Sequence, residues 1–169
     1  YNPLKTIENM YQKVRSRQLN LNAYLSWDIL KDLAFKATFA YTWRQDRNEA
    51  FNNADTYWGD PRYSAKHSNG NFSFREWDGW SNEYTLTYKK RVKSHNITAM
   101  LGASMNSKTI STLGASSTMV PWDGLGFWGI SNGTPDKVTS TNFEDRMMSY
   151  FARFNYDWKS RYLMTATMR

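Results

Sequence analysis

The sequence predicts an all-β chain, an antiparallel up-and-down sheet that forms a segment of a transmembrane β-barrel. Three observations carry this. Six stretches alternate strictly between apolar and polar residues, the pattern of strands with one face in an apolar medium and the other in a polar one. The strands come in pairs joined by very short turns, with long polar loops between the pairs. The apolar faces carry no Asp, Glu, Lys or Arg although 22% of the chain is charged, and their Trp and Tyr gather at the strand ends.

The opening, Tyr1 to Arg15, is polar and reads as a loop leading into strand one, which runs near Ser16 to Trp27. Strand one points Leu19, Leu21, Ala23, Leu25 and Trp27 to one side and Gln18, Asn20, Asn22, Tyr24 and Ser26 to the other. Asp28 to Asp32 makes a tight turn. Strand two presents Leu33, Phe35, Ala37, Phe39, Tyr41 and Trp43 outward, with Lys36, Thr38, Thr42 and Arg44 behind them. Gln45 to Gly79 then reads as a polar loop of roughly 35 residues, beyond the usual connection length and so a candidate for function.

Strand three starts near Trp80, with Tyr84, Leu86 and Tyr88 outward and Glu83, Thr85 and Thr87 inward. Its turn is Lys90 to Ser94. Strand four shows Ile97, Ala99, Leu101, Ala103 and Met105 on one face. A second long loop follows, near Ser107 to Phe143. Strand five places Met148, Tyr150, Ala152, Phe154, Tyr156 and Trp158 outward and Ser149, Arg153, Asn155 and Asp157 inward. After a turn at Lys159 to Arg161, strand six begins Tyr162, Met164, Ala166, Met168.

The aromatic positions separate a membrane wall from a soluble core. Trp27, Tyr88, Trp158 and Tyr162 sit at the short-turn ends, and Tyr41, Trp43, Trp80 and Tyr150 at the long-loop ends. Membrane interfaces favour Trp and Tyr because part of each ring system prefers lipid and part prefers water. The rival reading is a soluble β-sandwich or OB-like module binding glycan or single-stranded nucleic acid, which would set its large aromatics centrally. In outer-membrane barrels the short turns face the periplasm and the long loops the outside. Six strands cannot close, since the smallest such barrels use about 8. Open strand edges are not tolerated in lipid. Residues 1–169 are therefore expected to be part of a single barrel domain, an internal piece of a longer chain that here opens on Tyr1 rather than Met.

Bulk composition agrees. The net charge is +7, the pI about 9.6 and the mean hydropathy −0.75. A low hydropathy is compatible with a barrel, because every second residue faces water. No run reaches the roughly 18 apolar residues of a membrane helix. The absence of cysteine excludes disulfides and thiolate metal sites.

The run Ser149-Tyr150-Phe151-Ala152-Arg153-Phe154-Asn155-Tyr156-Asp157-Trp158, continued through Lys159-Ser160-Arg161-Tyr162 to Arg169, closely resembles a hairpin of SusC/RagA-type TonB-linked outer-membrane transporters of Bacteroidetes. Asn2-Pro3-Leu4-Lys5-Thr6, followed by Glu8-Asn9, resembles an earlier part of the same barrel. The two matches bracket nearly the whole chain in the family's order. Ala152 stands where the family often has Gly. The resemblance implies a barrel of about 22 strands with a plugged lumen. It also implies a SusD-like surface lipoprotein as lid, energy delivered by TonB through a plug region lying outside these residues, and import of oligosaccharide or peptide substrates across the bacterial outer membrane.

Candidate site residues fall into two sets. Tyr57, Trp58, Trp77, Trp122, Phe127 and Trp128, all assigned to the long loops, are candidates for substrate or lid contact; their bland alternative is packing of the loops on themselves. Lys36, Arg44, Glu83, Arg153, Asn155 and Asp157 are expected to face the lumen, where wall charges commonly form ion-pair networks. The basic run Lys89, Lys90, Arg91 and Lys93 reads as a solvated turn rather than a nucleic-acid surface. Asp55, Asp60, Glu76 and Asp78 match no calcium-loop spacing. His67 and His95 are far apart, so no zinc site is expected. No Ser/His/Asp arrangement, phosphate loop or dinucleotide fingerprint is present. The expected chain is a wall component with no cofactor, no metal and no catalytic residue.

Overall fold

Lys31 and Asp32 alone reverse the chain between its first two strands, and Lys93 and Ser94 do the same between the next pair. Lys93, Lys159 and Ser160 take positive φ of 52°, 52° and 55°, the left-handed backbone that tight hairpin turns demand. The computed structural model describes residues 3–169; Tyr1 and Asn2, with the Asn2 of the opening motif, lie outside the described residues. The elements are α1 (Pro3–Asn9), β1 (Met10–Leu30), β2 (Leu33–Asn52), β3 (Asn69–Val92), β4 (His95–Thr118), a 3-10 helix (Asp123–Asn132), β5 (Thr134–Trp158) and β6 (Tyr162–Met168). All six strands belong to one antiparallel sheet in the order β1-β2-β3-β4-β5-β6. A single meander of this order is not the two-layer arrangement that a sandwich requires.

The β5–β6 register pairs Trp158 with Tyr162, Tyr156 with Met164, Phe154 with Ala166 and Ala152 with Met168. The intervening positions pair Arg153 with Thr167, Asn155 with Thr165 and Asp157 with Leu163. Ala152, Phe154, Tyr156 and Trp158 thus each meet an apolar outward residue of strand six; a one-residue slip would mix the two faces, and the short turn fixes which of the remaining registers forms.

Three expectations need correction. The opening is not all loop: Pro3–Asn9 is helical, and β1 begins at Met10 rather than near Ser16. The first long loop shrinks to residues 53–68, since β2 runs to Asn52 and β3 already starts at Asn69. The second shrinks to residues 119–133, much of it the 3-10 helix. Strands of 20 to 25 residues are about twice the ~9–11 needed to cross a bilayer. Beyond the alternating stretches the residues are polar or mixed on both faces. Polarity marks the end of an apolar environment, whereas the backbone ladder needs only a paired neighbour.

The described residues form two units. One comprises residues 19–43, 78–108 and 144–169 and contains the short turns. Its apolar face lacks protein cover: Leu25 is 61% exposed, Leu101 62% and Tyr150 65%. On that face Phe35 stacks on Tyr84 at 6.4 Å. Near the turns His95, Tyr156, Trp158 and Tyr162 form a ladder of stacked rings, with His95–Tyr156 at 5.9 Å, His95–Trp158 at 6.2 Å and Trp158–Tyr162 at 5.4 Å. On the polar face Gly102 leaves room for Phe151, whose ring carbon would lie 2.2 Å from any Cβ added there.

The other unit comprises residues up to 18, 44–77 and 109–143 and holds the long connections. Here Phe51, Val120 and Phe127 are buried together, with Ile130 packed against them. The 3-10 helix kinks at Gly126, where φ of 55° and ψ of −137° suit a residue without a Cβ. Tyr11 stacks on Phe127 at 5.8 Å and donates its hydroxyl hydrogen bond to Glu49 at 2.9 Å, while Arg47 pairs with the same carboxylate at 2.5 Å.

Candidate functional site

Arg75 and Trp77 are alternate residues of β3, so they share a face of the sheet. Across from them β2 supplies Arg44 and Asp46. Arg44 grips Asp46 with both arms of its fork, Nε to Oδ1 at 3.1 Å and Nη2 to Oδ2 at 2.9 Å. The Ser16 hydroxyl on β1 donates to the same carboxylate at 2.5 Å. Arg44 is thereby neutralised and held with its guanidinium carbon 5.0 Å from the centre of the Trp77 ring. Arg75 lies over the same indole at 4.6 Å. The ring quadrupole attracts both cations, and the planar guanidinium can also stack. Arg75 is exposed, and among the described residues no carboxylate forms an ion pair with it.

Of the six loop aromatics, Trp77 is therefore relocated: it lies on β3, half-buried with both guanidinium groups over its ring, rather than in a loop. Phe127 is a packing residue, 7% exposed in the cluster with Phe51 and Val120. Tyr57 and Trp58 remain in the connection 53–68. Tyr57 meets Trp58 edge-on at 5.0 Å and stacks on Tyr63 at 5.5 Å, with the Arg62 guanidinium 5.6 Å from the Tyr63 ring. The connection is tied down by its polar residues. Arg62 grips Asp60 with contacts of 2.5 to 3.0 Å, and Lys5 pairs with Asp55 at 2.5 Å. Trp58, Trp122 and Trp128 present 58%, 64% and 73% of their surface, Trp128 leaning edge-on against Phe127 at 5.4 Å.

An apolar cavity of about 480 Å³ lies under the 3-10 helix, lined mainly by Phe72, Phe74, Leu113, Phe127, Trp128 and Ile130. Asp78, expected in a loop, lies on β3 and accepts the Tyr41 hydroxyl at 2.6 Å. With Asp55 and Asp60 engaged by cations, the carboxylates first considered together are held apart by separate partners.

The six polar wall residues do not converge on one point. Lys36 reaches over the Tyr24 ring at 5.5 Å. Asp157 accepts from Asn96 at 3.0 Å and from the Ser160 backbone N–H at 2.8 Å, fixing the β5–β6 turn. Arg153 and Asn155 stand opposite Thr167 and Thr165 on β6, and Glu83 is exposed on β3. Only Arg44 joins a cluster. Arg75, Asp46 and Ser16 were absent from the sequence candidates. The signal available for Arg75 was the alternation Ser73, Arg75, Trp77 in a stretch read as loop.

No protein-family model matches the chain. A TonB-dependent receptor, P26 of Formosa agariphila, is 26% identical over 151 residues, covering 86% of this chain and 15% of the relative. Among solved structures, the RagAB peptide importer in its closed-closed state matches with a TM-score of 0.75 at 21% identity, over 95% of this chain and 18% of that one. Its open-open state matches with a TM-score of 0.71 at 23% identity, over 90% and 17%. The chain spans about a sixth of the length of these proteins. The chain is thus similar in sequence to a stretch of a TonB-dependent receptor and shares its fold with a stretch of the RagAB peptide transporter, a six-stranded antiparallel segment of barrel wall.

Proposed function

We propose that this chain forms part of the barrel wall of an outer-membrane importer of peptides or glycans that is driven through TonB and works with a SusD-like surface lipoprotein. The observation that carries the reading is the six-strand meander with a charge-free, aromatic-ended apolar face, matched over nearly its whole length to a peptide importer. The uncovered apolar face is the lipid surface, where stacked Trp and Tyr settle at the headgroup level. The short turns face the periplasm and the two long connections face outward. Trp58, Trp122 and Trp128 are the exposed aromatics available to lid or substrate. The wall residues serve transport by position rather than by chemistry, and the relatives are transporters rather than enzymes.

The test is uptake. Cells with and without the gene, each with and without a working TonB, are given fluorescent oligopeptide and oligosaccharide pools. Accumulation of one pool that needs both gene and TonB is expected, with the protein in the outer-membrane fraction. Recovery of the protein in the soluble fraction, or uptake indifferent to TonB, would overturn the reading.

A further inference from the structure

We propose that Arg75, held over the Trp77 ring beside the Arg44–Asp46 pair, is a carboxylate-binding subsite for substrate, so that the transported molecules carry acidic groups. The source of the ligand rests on the importer reading; the subsite rests on geometry. Asp46 balances Arg44 and receives Ser16 as well, so its hydrogen-bonding capacity is largely spent. A second cation held 4.6 Å from the same ring repels Arg44; Asp46 attracts it through space, but among the described residues no carboxylate forms an ion pair or hydrogen bond with it, so the two arginines outnumber the one carboxylate they share. Were the cluster only a strand-to-strand staple, Ser16, Asp46, Arg44 and Trp77 would suffice.

Contact with the indole face does for Arg75 what an ion pair does for Arg44. It restricts the guanidinium without consuming its N–H donors, which lie in the plane of the group and stay free for a ligand. A planar carboxylate can take two of those donors in parallel, the strongest geometry available to an exposed arginine. Trp77 is already engaged by two guanidinium groups, which disfavours the alternative use of the indole as a platform for a neutral sugar ring. The ligand chemistry is therefore a carboxylate, supplied either by an acidic peptide or by a uronic-acid oligosaccharide.

Calorimetry on the full-length protein in detergent tests this with four probes: hexaglutamate, hexaserine, an oligogalacturonate and maltohexaose. One acidic probe is expected to bind more tightly than its neutral counterpart, and which one identifies the source. Arg75→Gln should weaken that binding roughly tenfold, Arg75→Lys should lose less, and added salt should shrink the difference between wild type and Arg75→Gln. Arg75→Lys keeps the charge and supplies the comparison if the Gln variant does not reach the membrane. Equal affinity of wild type and both variants would overturn the subsite, as would failure of both acidic probes to bind. Neither result touches the importer reading, which stands or falls on TonB-dependent uptake in cells.

Discussion

Asp60 shows how one side chain can hold a connection in place. Its carboxyl is lowered to about 2, first by hydrogen bonds from the Arg62 side chain and then by the Arg62 backbone N–H. A group depressed in the folded state stabilises the fold fully above its ordinary value near 3.8 and loses that contribution as pH falls towards 2. Amide exchange in residues 53–68, referenced to an unstructured peptide, should therefore lose protection between about pH 4 and 2 while the strands keep theirs. Asp60→Asn should be less protected already at neutral pH and should flatten the acid response. An unchanged profile would remove the Asp60–Arg62 pair as the fastener. Little of this was visible in the chain, because Asp60 and Arg62 in a polar stretch look like any solvated loop until the backbone folds one over the other.

At the scale of elements, the 3-10 helix is seated by apolar side chains rather than by its own hydrogen bonds. Phe127 is 7% exposed and meets Phe51, Val120 and Tyr11. Phe127→Ala should cost about 3 kcal/mol of docking free energy, the low end for a large aromatic in a small core. The loss should appear as local opening, with faster proteolysis within residues 119–133 and an unchanged β-sheet circular dichroism spectrum. Trp128→Ala, at a position 73% exposed, should leave proteolysis nearly as it was. Loss of the whole sheet on Phe127→Ala would mean that the cluster supports the strands as well as the helix. The sequence marked Phe127 as a loop aromatic but could not separate it from Trp128, since adjacent aromatics in an aperiodic stretch carry no sign of which one turns inward.

For the whole molecule the decisive feature is the pair of sheet edges. Among the described residues β1 and β6 end the sheet, and β6 pairs with β5 alone. A sheet with two open edges in lipid leaves backbone groups unsatisfied at several kcal/mol each. The polypeptide carrying this sequence should therefore have a denatured mass several times 19.8 kDa. A mass near 19.8 kDa would require the edges to be closed by other copies and would favour the soluble or oligomeric β-module over the barrel wall.

The alternation of residues was enough to determine strand type, order of appearance, turn positions and the division of each central strand into two faces. The β5–β6 register keeps Trp158 with Tyr162 and Arg153 with Thr167, as the period of two demands. Those properties are local or nearly so: side chains alternate, and a one-residue slip would mix the faces. Strand length was not legible. Once a strand leaves the apolar layer its residues need not alternate, and only a hydrogen-bonded neighbour reveals that Gln45–Asn52 and Asn69–Gly79 are still sheet. The same holds for the arginine pair. Arg44 and Arg75 lie far apart in sequence, and only the pairing of β2 with β3 brings both to one indole and leaves one of them without a direct ion pair. Sequence determines what each residue can do, whereas the assembled ladder decides which residues face each other, because cross-strand distance is set by pairing and not by separation along the chain.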